Sequence, residues 1–260
     1  MESFVNRGVR LEYTVSGSGK PLLFLHGMGG SVKQIESAYE PQKGVMLINM
    51  NQQGHGGSGA DWETLDFCRL ADDALALLDL LGIERAALAG ISMGAAVSLN
   101  MAVRFPERVN RLILIRNAWA DCAMSDALIG AYADLGRCLK SGGEEAFRKT
   151  PGWELVKAPS AYTRNAFLSP FSDESCLKNP EKYLILPSKT AVSSADDIRE
   201  ITCPAAVVAN RNDLCHPFEL GQHVHGLIPQ SEFIEIPDKD TDPAAHRSEM
   251  NAVIKRMMNF

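Results

Sequence analysis

The chain has 260 residues, 45% of them hydrophobic, enough to bury a sizeable core, and α/β folds of this size commonly form one domain. Its formal net charge is −6, with charges of both signs scattered along the chain and no basic run able to neutralise a phosphate backbone; nucleic acid and anionic membrane surfaces are excluded as partners. The opening residues lack an apolar leader segment, and no run of about eighteen apolar residues occurs, so a soluble, cytoplasmic protein is expected. Six cysteines (Cys68, Cys122, Cys138, Cys176, Cys203 and Cys215) lie far apart with no Cys-x-x-Cys pair, which reads as free thiols in a reducing compartment rather than a zinc or redox site.

Residues 9–16 alternate apolar and polar like a half-buried strand, whereas Pro21–His26 is a short continuous apolar run of the kind found in a central parallel strand. A similar run follows at Val45–Met50. The stretch Leu65–Leu81 puts Phe67, Ala71, Ala74, Leu78 and Leu81 on one helical face, with Gly82 available as the left-handed cap. Ala86–Ala89 is the next apolar run, and a helical stretch, Ala95–Phe105, lies shortly after it. Leu112–Ile115, Ala205–Ala209 and Phe233–Ile236 complete the set of buried-strand runs. Between Ala118 and Ser194 there is no such run, only short helical patterns punctuated by Gly and Pro.

This alternation predicts an α/β fold: a mostly parallel central sheet with helices on both faces. The core comprises residues 1–117 and 195–260, and residues 118–194 form a helical cap insertion. That insertion holds eight of the eighteen aromatics (Trp119, Tyr132, Phe147, Trp153, Tyr162, Phe167, Phe171 and Tyr183), which either pack the cap or line a pocket for a small-molecule substrate with an apolar or aromatic part.

Chemistry concentrates at two loops. Gly90-Ile91-Ser92-Met93-Gly94 is a G-x-S-x-G pentapeptide between a strand run and a helical stretch, the setting in which small residues permit a tight turn that lifts a serine hydroxyl above a sheet. Leu25-His26-Gly27-Met28-Gly29-Gly30 follows an earlier central strand, and a glycine-rich loop exposes backbone N–H groups suited to an oxyanion. The oxyanion donors are assigned to the main-chain N–H groups of Met28 and Met93. His26 is read as ordering its loop rather than moving protons.

These two motifs in this order resemble the α/β-hydrolase superfamily over nearly the whole chain. The resemblance implies an acid on the loop after a late strand and a histidine after the final strand. Asn210-Arg211-Asn212-Asp213-Leu214-Cys215-His216-Pro217 is similar to the family's acid loop, which makes Asp213 the matching acid. Of the six histidines, His246 alone follows the last strand run and is assigned as general base, with His216 as the fallback. The sequence departs from the family here, because Pro237–Ala245, long and acidic, replaces a short glycine-containing loop. It departs again at Asn51 and Gln53, which stand where the family carries an acid and an arginine, so amide hydrogen bonds are expected in place of an ion pair.

Gly54-x-Gly56-x-x-Gly59 satisfies the dinucleotide fingerprint after a strand, but the helical pattern starts only after Trp62 and the next strand run ends without an acid. A nicotinamide or flavin role is therefore not expected, and the serine chemistry below needs no metal or organic cofactor. The expected activity is that of a serine hydrolase cleaving a small ester or related acyl compound through an acyl-enzyme, with Ser92, His246 and Asp213 as the triad. The alternatives on the same fold are a slow-turnover small-molecule sensor, a carbon–carbon bond hydrolase and a perhydrolase.

Overall fold

The computed structural model describes residues 1–259, and their strands form one sheet. The strands are β1 (Glu2–Asn6), β2 (Val9–Gly17), β3 (Lys20–Leu25), β4 (Val45–Asn51), β5 (Ala86–Ile91), β6 (Val109–Ile115), β7 (Ala205–Ala209) and β8 (Ser231–Glu235). Their order is β1-β2-β4-β3-β5-β6-β7-β8. β1 pairs with β2 and β2 with β4 antiparallel, and all the pairings from β4 to β8 are parallel.

The residues of β3 show why the parallel strands read as unbroken apolar runs. Leu23 and Leu25 enter one core cluster together with Leu70 and Val97, while Leu22 and Phe24 enter the opposite cluster with Ile35 and Ile254. A strand covered on both faces has no polar side to alternate with. β2, nearer the edge, buries Val9, Leu11 and Tyr13 and leaves Arg10 in solvent, which produces the alternation. β1 was not evident from the sequence: its five residues are mostly exposed and carry too few apolar positions for a pattern.

Helices α1 (Val32–Ala38), α2 (Phe67–Leu80) and α3 (Met93–Arg104) lie between the early strands. The expected helix at Leu65–Leu81 begins at Phe67 because the Asp66 side chain accepts the Arg69 N–H, and it ends before Gly82, whose φ of 66° needs no Cβ. Between β6 and β7 there is no strand. That segment holds α4 (Asp126–Lys140), α5 (Gly143–Phe147), α6 (Pro151–Val156), α7 (Ala161–Leu168), α8 (Glu174–Lys178), α9 (Glu181–Ile185) and α10 (Ala195–Arg199). α11 (Phe218–Leu227) follows β7, and α12 (Pro243–Met258) follows β8. No helix among the described residues is long and apolar enough to cross a membrane.

Candidate active site

Parallel strands deliver their C-terminal ends to one edge, and the sheet order fixes which loops become neighbours. Ser92 follows β5, Arg116 follows β6, Asp213 lies after β7 and His246 after β8, so the four stand in that order along adjacent strand ends. Ser92 sits at φ 56° and ψ −111°, a conformation that costs an L-residue about 1–3 kcal/mol. Its N–H donates to the Ile115 carbonyl at 2.9 Å, and its carbonyl accepts the Ala96 N–H at 3.1 Å as α3 opens. The flanking glycines are steric necessities. A Cβ on Gly90 would come within 2.1 Å of the Gly94 carbonyl carbon, and one on Gly94 within 2.1 Å of the Leu25 carbonyl oxygen.

The loop after β3 stands against this turn, since a Cβ on Gly27 would lie 3.4 Å from the Ser92 Cβ. Gly27 N–H donates to Gln34 Oε1 (2.8 Å) and Gly29 N–H to His55 Nε2 (3.0 Å), which leaves the intervening Met28 N–H without a partner among the described residues. Met93 is the first residue of α3, so its N–H faces the open helix end. Met28 thus lies next to Gly27, which abuts Ser92, and Met93 directly follows Ser92 in the chain.

His26 has the structural part expected of it. Its Nδ1–H donates to the Gly27 carbonyl (2.8 Å), and its Nε2 accepts the Gln52 N–H (3.1 Å). His55, 4.8 Å away between ring centroids, likewise donates to Gln53 O (2.9 Å) and accepts from Gly29. Each neutral ring uses one nitrogen as donor and the other as acceptor, so protonation would break a bond that orders the loop. Burial, aided by the Lys182 ammonium, lowers the His26 pKa from 6.5 to about 4 and moves His55 in the same direction. The sign follows: between those values the unfolded chain binds more protons, so this stability is complete above pH 6.5 and is lost as pH falls toward 4. A loss of about 3 kcal/mol from His26 alone is expected between pH 7 and pH 4. Urea unfolding at the two pH values measures it, and an unchanged midpoint would contradict the assignment.

Asp213 and His246 are arranged differently from what the resemblance implies. Asp213 Oδ2 accepts from Arg116 Nε (3.0 Å) and Nη2 (2.5 Å) and lies 2.9 Å from His216 Nδ1. Although burial opposes it, His216 and Arg116 together hold the carboxyl far below its ordinary range. Arg116 Nη1 also donates to Tyr162 Oη at 3.1 Å, and the guanidinium carbon is 4.5 Å from the centre of that ring. His246 does not hydrogen-bond Asp213. Its Nδ1 lies 2.8 Å from the Pro237 carbonyl, to which it donates, leaving Nε2 as the acceptor nitrogen. Burial, together with the Arg116 and Lys239 charges, lowers its pKa to about 4, while Asp213 acts in the opposite direction.

The sequence placed His246 after a long loop, but that loop closes earlier. Pro243 occupies the first helical turn of α12 and Asp242 Oδ1 caps Ala245 N–H at 2.9 Å, so His246 sits in the helix, and only residues 236–242 separate that helix from β8. Arg116 lies outside the apolar run Leu112–Ile115 that marks β6, so the apolar pattern does not register it. A charged residue directly after a buried parallel strand was the available signal.

Of the aromatics in the segment between β6 and β7, Tyr132 stacks on Phe167 (4.6 Å) and Phe147 packs against Trp153, Phe167 and Phe171. These are packing contacts, whereas Tyr162 alone reaches Arg116. At the β4 loop, amide bonds do replace an ion pair: Asn51 Oδ1 accepts the Val32 N–H (2.8 Å), and Gln53 Nε2 donates to Asp73 (2.6 Å). Gly54, Gly56 and Gly57 lie in turns and Gly59 in irregular loop, with no helix starting on them, contrary to the geometry a dinucleotide site needs.

The family model described as alpha/beta hydrolase fold matches residues 20–131. The chain is similar to the AB hydrolase superfamily protein YisY of Bacillus subtilis, at 28% identity over 84% of this chain and 83% of that protein. It is also similar to the putative carbamate hydrolase RutD of Azorhizobium caulinodans, at 32% identity over 87% and 86%. Its fold is that of the enol-lactonase from Burkholderia xenovorans, with a TM-score of 0.74 and 19% identity over 100% of both chains. The chain belongs to the alpha/beta-hydrolase fold family. By class it is a hydrolase acting on a small molecule.

Proposed function

We propose that the protein is a serine hydrolase that cleaves a small ester or related acyl compound, with Ser92 as nucleophile and residues 118–194 as a cap over the site. The observation that carries this reading is the strained Ser92 turn beside two unengaged N–H groups, Met28 and Met93. In this scheme His246 Nε2 takes the Ser92 proton as its oxygen attacks the carbonyl, and the two N–H groups receive the negative charge. The Pro237 carbonyl holds the tautomer, and Asp213 supplies the buried negative charge that favours the imidazolium. Proton return to the leaving group gives an acyl-Ser92 enzyme, which water, activated by the same imidazole, hydrolyses.

The relative named as a putative carbamate hydrolase bears the name of an acyl-cleaving enzyme, which supports this bond class. The 2.9 Å contact between His216 and Asp213 favours a second reading of the base, in which His216 forms the acid–base pair. The overall scheme is tested by mixing enzyme with p-nitrophenyl acetate and following p-nitrophenol release. A burst of one equivalent, with an acetyl adduct found on the peptide containing Ser92, is the expected result; an adduct located elsewhere would rule it out.

A further inference from the structure

Beside the Ser92 turn, between α1 and the start of α12, lies a cavity of about 200 Å³. It touches the site through Ile91, His246 and Gln34, the residue that holds Gly27 N–H. Ile91, Ile115 and Met250 supply an apolar floor, and the lining charges are Arg116, Lys239 and Arg247, with no carboxylate among them. The Arg116 charge is balanced by Asp213, and Arg247 reaches Glu40 only loosely, at 3.8 Å.

Lys239 differs from both. It lies in a loop with three aspartates, yet none of them pairs with it. Asp238 Oδ1 accepts the Asp240 N–H (2.8 Å), Asp240 Oδ1 accepts the Tyr162 N–H (2.7 Å), and Asp242 Oδ1 caps α12. Lys239 Nζ instead stands 4.3 Å over the Tyr162 ring, which the Arg116 guanidinium also contacts, and forms no ion pair among the described residues. A half-buried ammonium held over a ring face, with the acids of its loop turned to backbone N–H groups, keeps its N–H donors for an anion.

We infer that this cavity is a subsite for a carboxylate carried on the acyl portion of the substrate, held by Lys239 with its short methylene stem on Ile91, Ile115 and Met250. The inference rests on the reading of Ser92 as nucleophile and narrows the substrate class to monoesters of short dicarboxylic acids. A cavity of this size accepts a carboxylate and a few methylenes but not a drug-sized group.

The decisive comparison is between mono-p-nitrophenyl glutarate and p-nitrophenyl valerate, which differ chiefly in the terminal carboxylate. The wild-type protein is expected to favour the glutarate ester at least tenfold in kcat/KM, through KM. The preference is expected to collapse in Lys239→Met and to return in Lys239→Arg. A wild-type ratio near one, or a ratio unchanged in Lys239→Met, would overturn the subsite while leaving the hydrolase reading intact. If neither ester is turned over, that reading fails, and calorimetric titration with glutarate then tests the subsite alone. Binding lost in Lys239→Met supports it, and absence of binding to the wild-type protein overturns it.

Discussion

Ser92→Ala is expected to lower kcat for p-nitrophenyl acetate by at least about 10⁴-fold, since removal of a nucleophile that acts as part of a unit forfeits the whole chemical pathway. Ser92→Gly should lose as much activity and yet be the more stable variant. The residue at position 92 is held at φ 56° and ψ −111° by the Ile115 and Ala96 hydrogen bonds, and glycine adopts that conformation without a Cβ penalty. After the larger chain entropy of unfolded glycine is subtracted, a net gain of about 1 kcal/mol over the serine protein is expected. Denaturant unfolding of the three proteins measures it. Residual turnover near the wild-type level would remove Ser92 from the mechanism, and a glycine variant less stable than the alanine one would remove the strain from the account.

The second large effect concerns the base. His246→Ala is expected to reduce kcat/KM by about 10⁴-fold, comparable with loss of the nucleophile, whereas His216→Ala should cost less than about tenfold. The reason lies in placement. His246, its Nδ1 committed to Pro237, lines the cavity beside the Ser92 turn together with Ile91, while His216 does not line it and its Nδ1 is tied to the Asp213–Arg116 ion pair. A base must be neutral to act, and burial with Arg116 and Lys239 keeps His246 neutral down to about pH 4. The acid limb of kcat/KM should therefore lie near pH 4, well below the 6.5 of an ordinary imidazole, within the pH range where circular dichroism shows the chain folded. A loss confined to His216→Ala would transfer the role to His216, and a limb near 6.5 would mean that His246 is not held as described.

Much of the architecture was legible because parallel strands buried on both faces and amphipathic helices leave periodic marks. Pro21–His26, Ala86–Ala89 and Ala205–Ala209 announced β3, β5 and β7, and the Gly90–Gly94 pentapeptide announced the turn into α3. The failures share a cause. β1 is short and exposed and carries no period. The extent of the loop before His246 depended on a cap made by Asp242, a local bond that apolar patterning does not register.

What the sequence by itself determined is the chain order of the chemistry: a serine on a strand–turn–helix junction, glycine-rich N–H donors before it, and an acid and histidines after it. These are local facts, set by residue type and by the sterics of the turn. Only the tertiary structure decided which groups meet. The order β5-β6-β7-β8 inserts Arg116 between Ser92 and Asp213, gives the carboxylate to Arg116 and His216, and turns His246 toward Pro237. The physical reason is that a buried charge takes the partner that desolvation and distance offer, and those are properties of strand neighbours separated by up to a hundred residues rather than of any one segment.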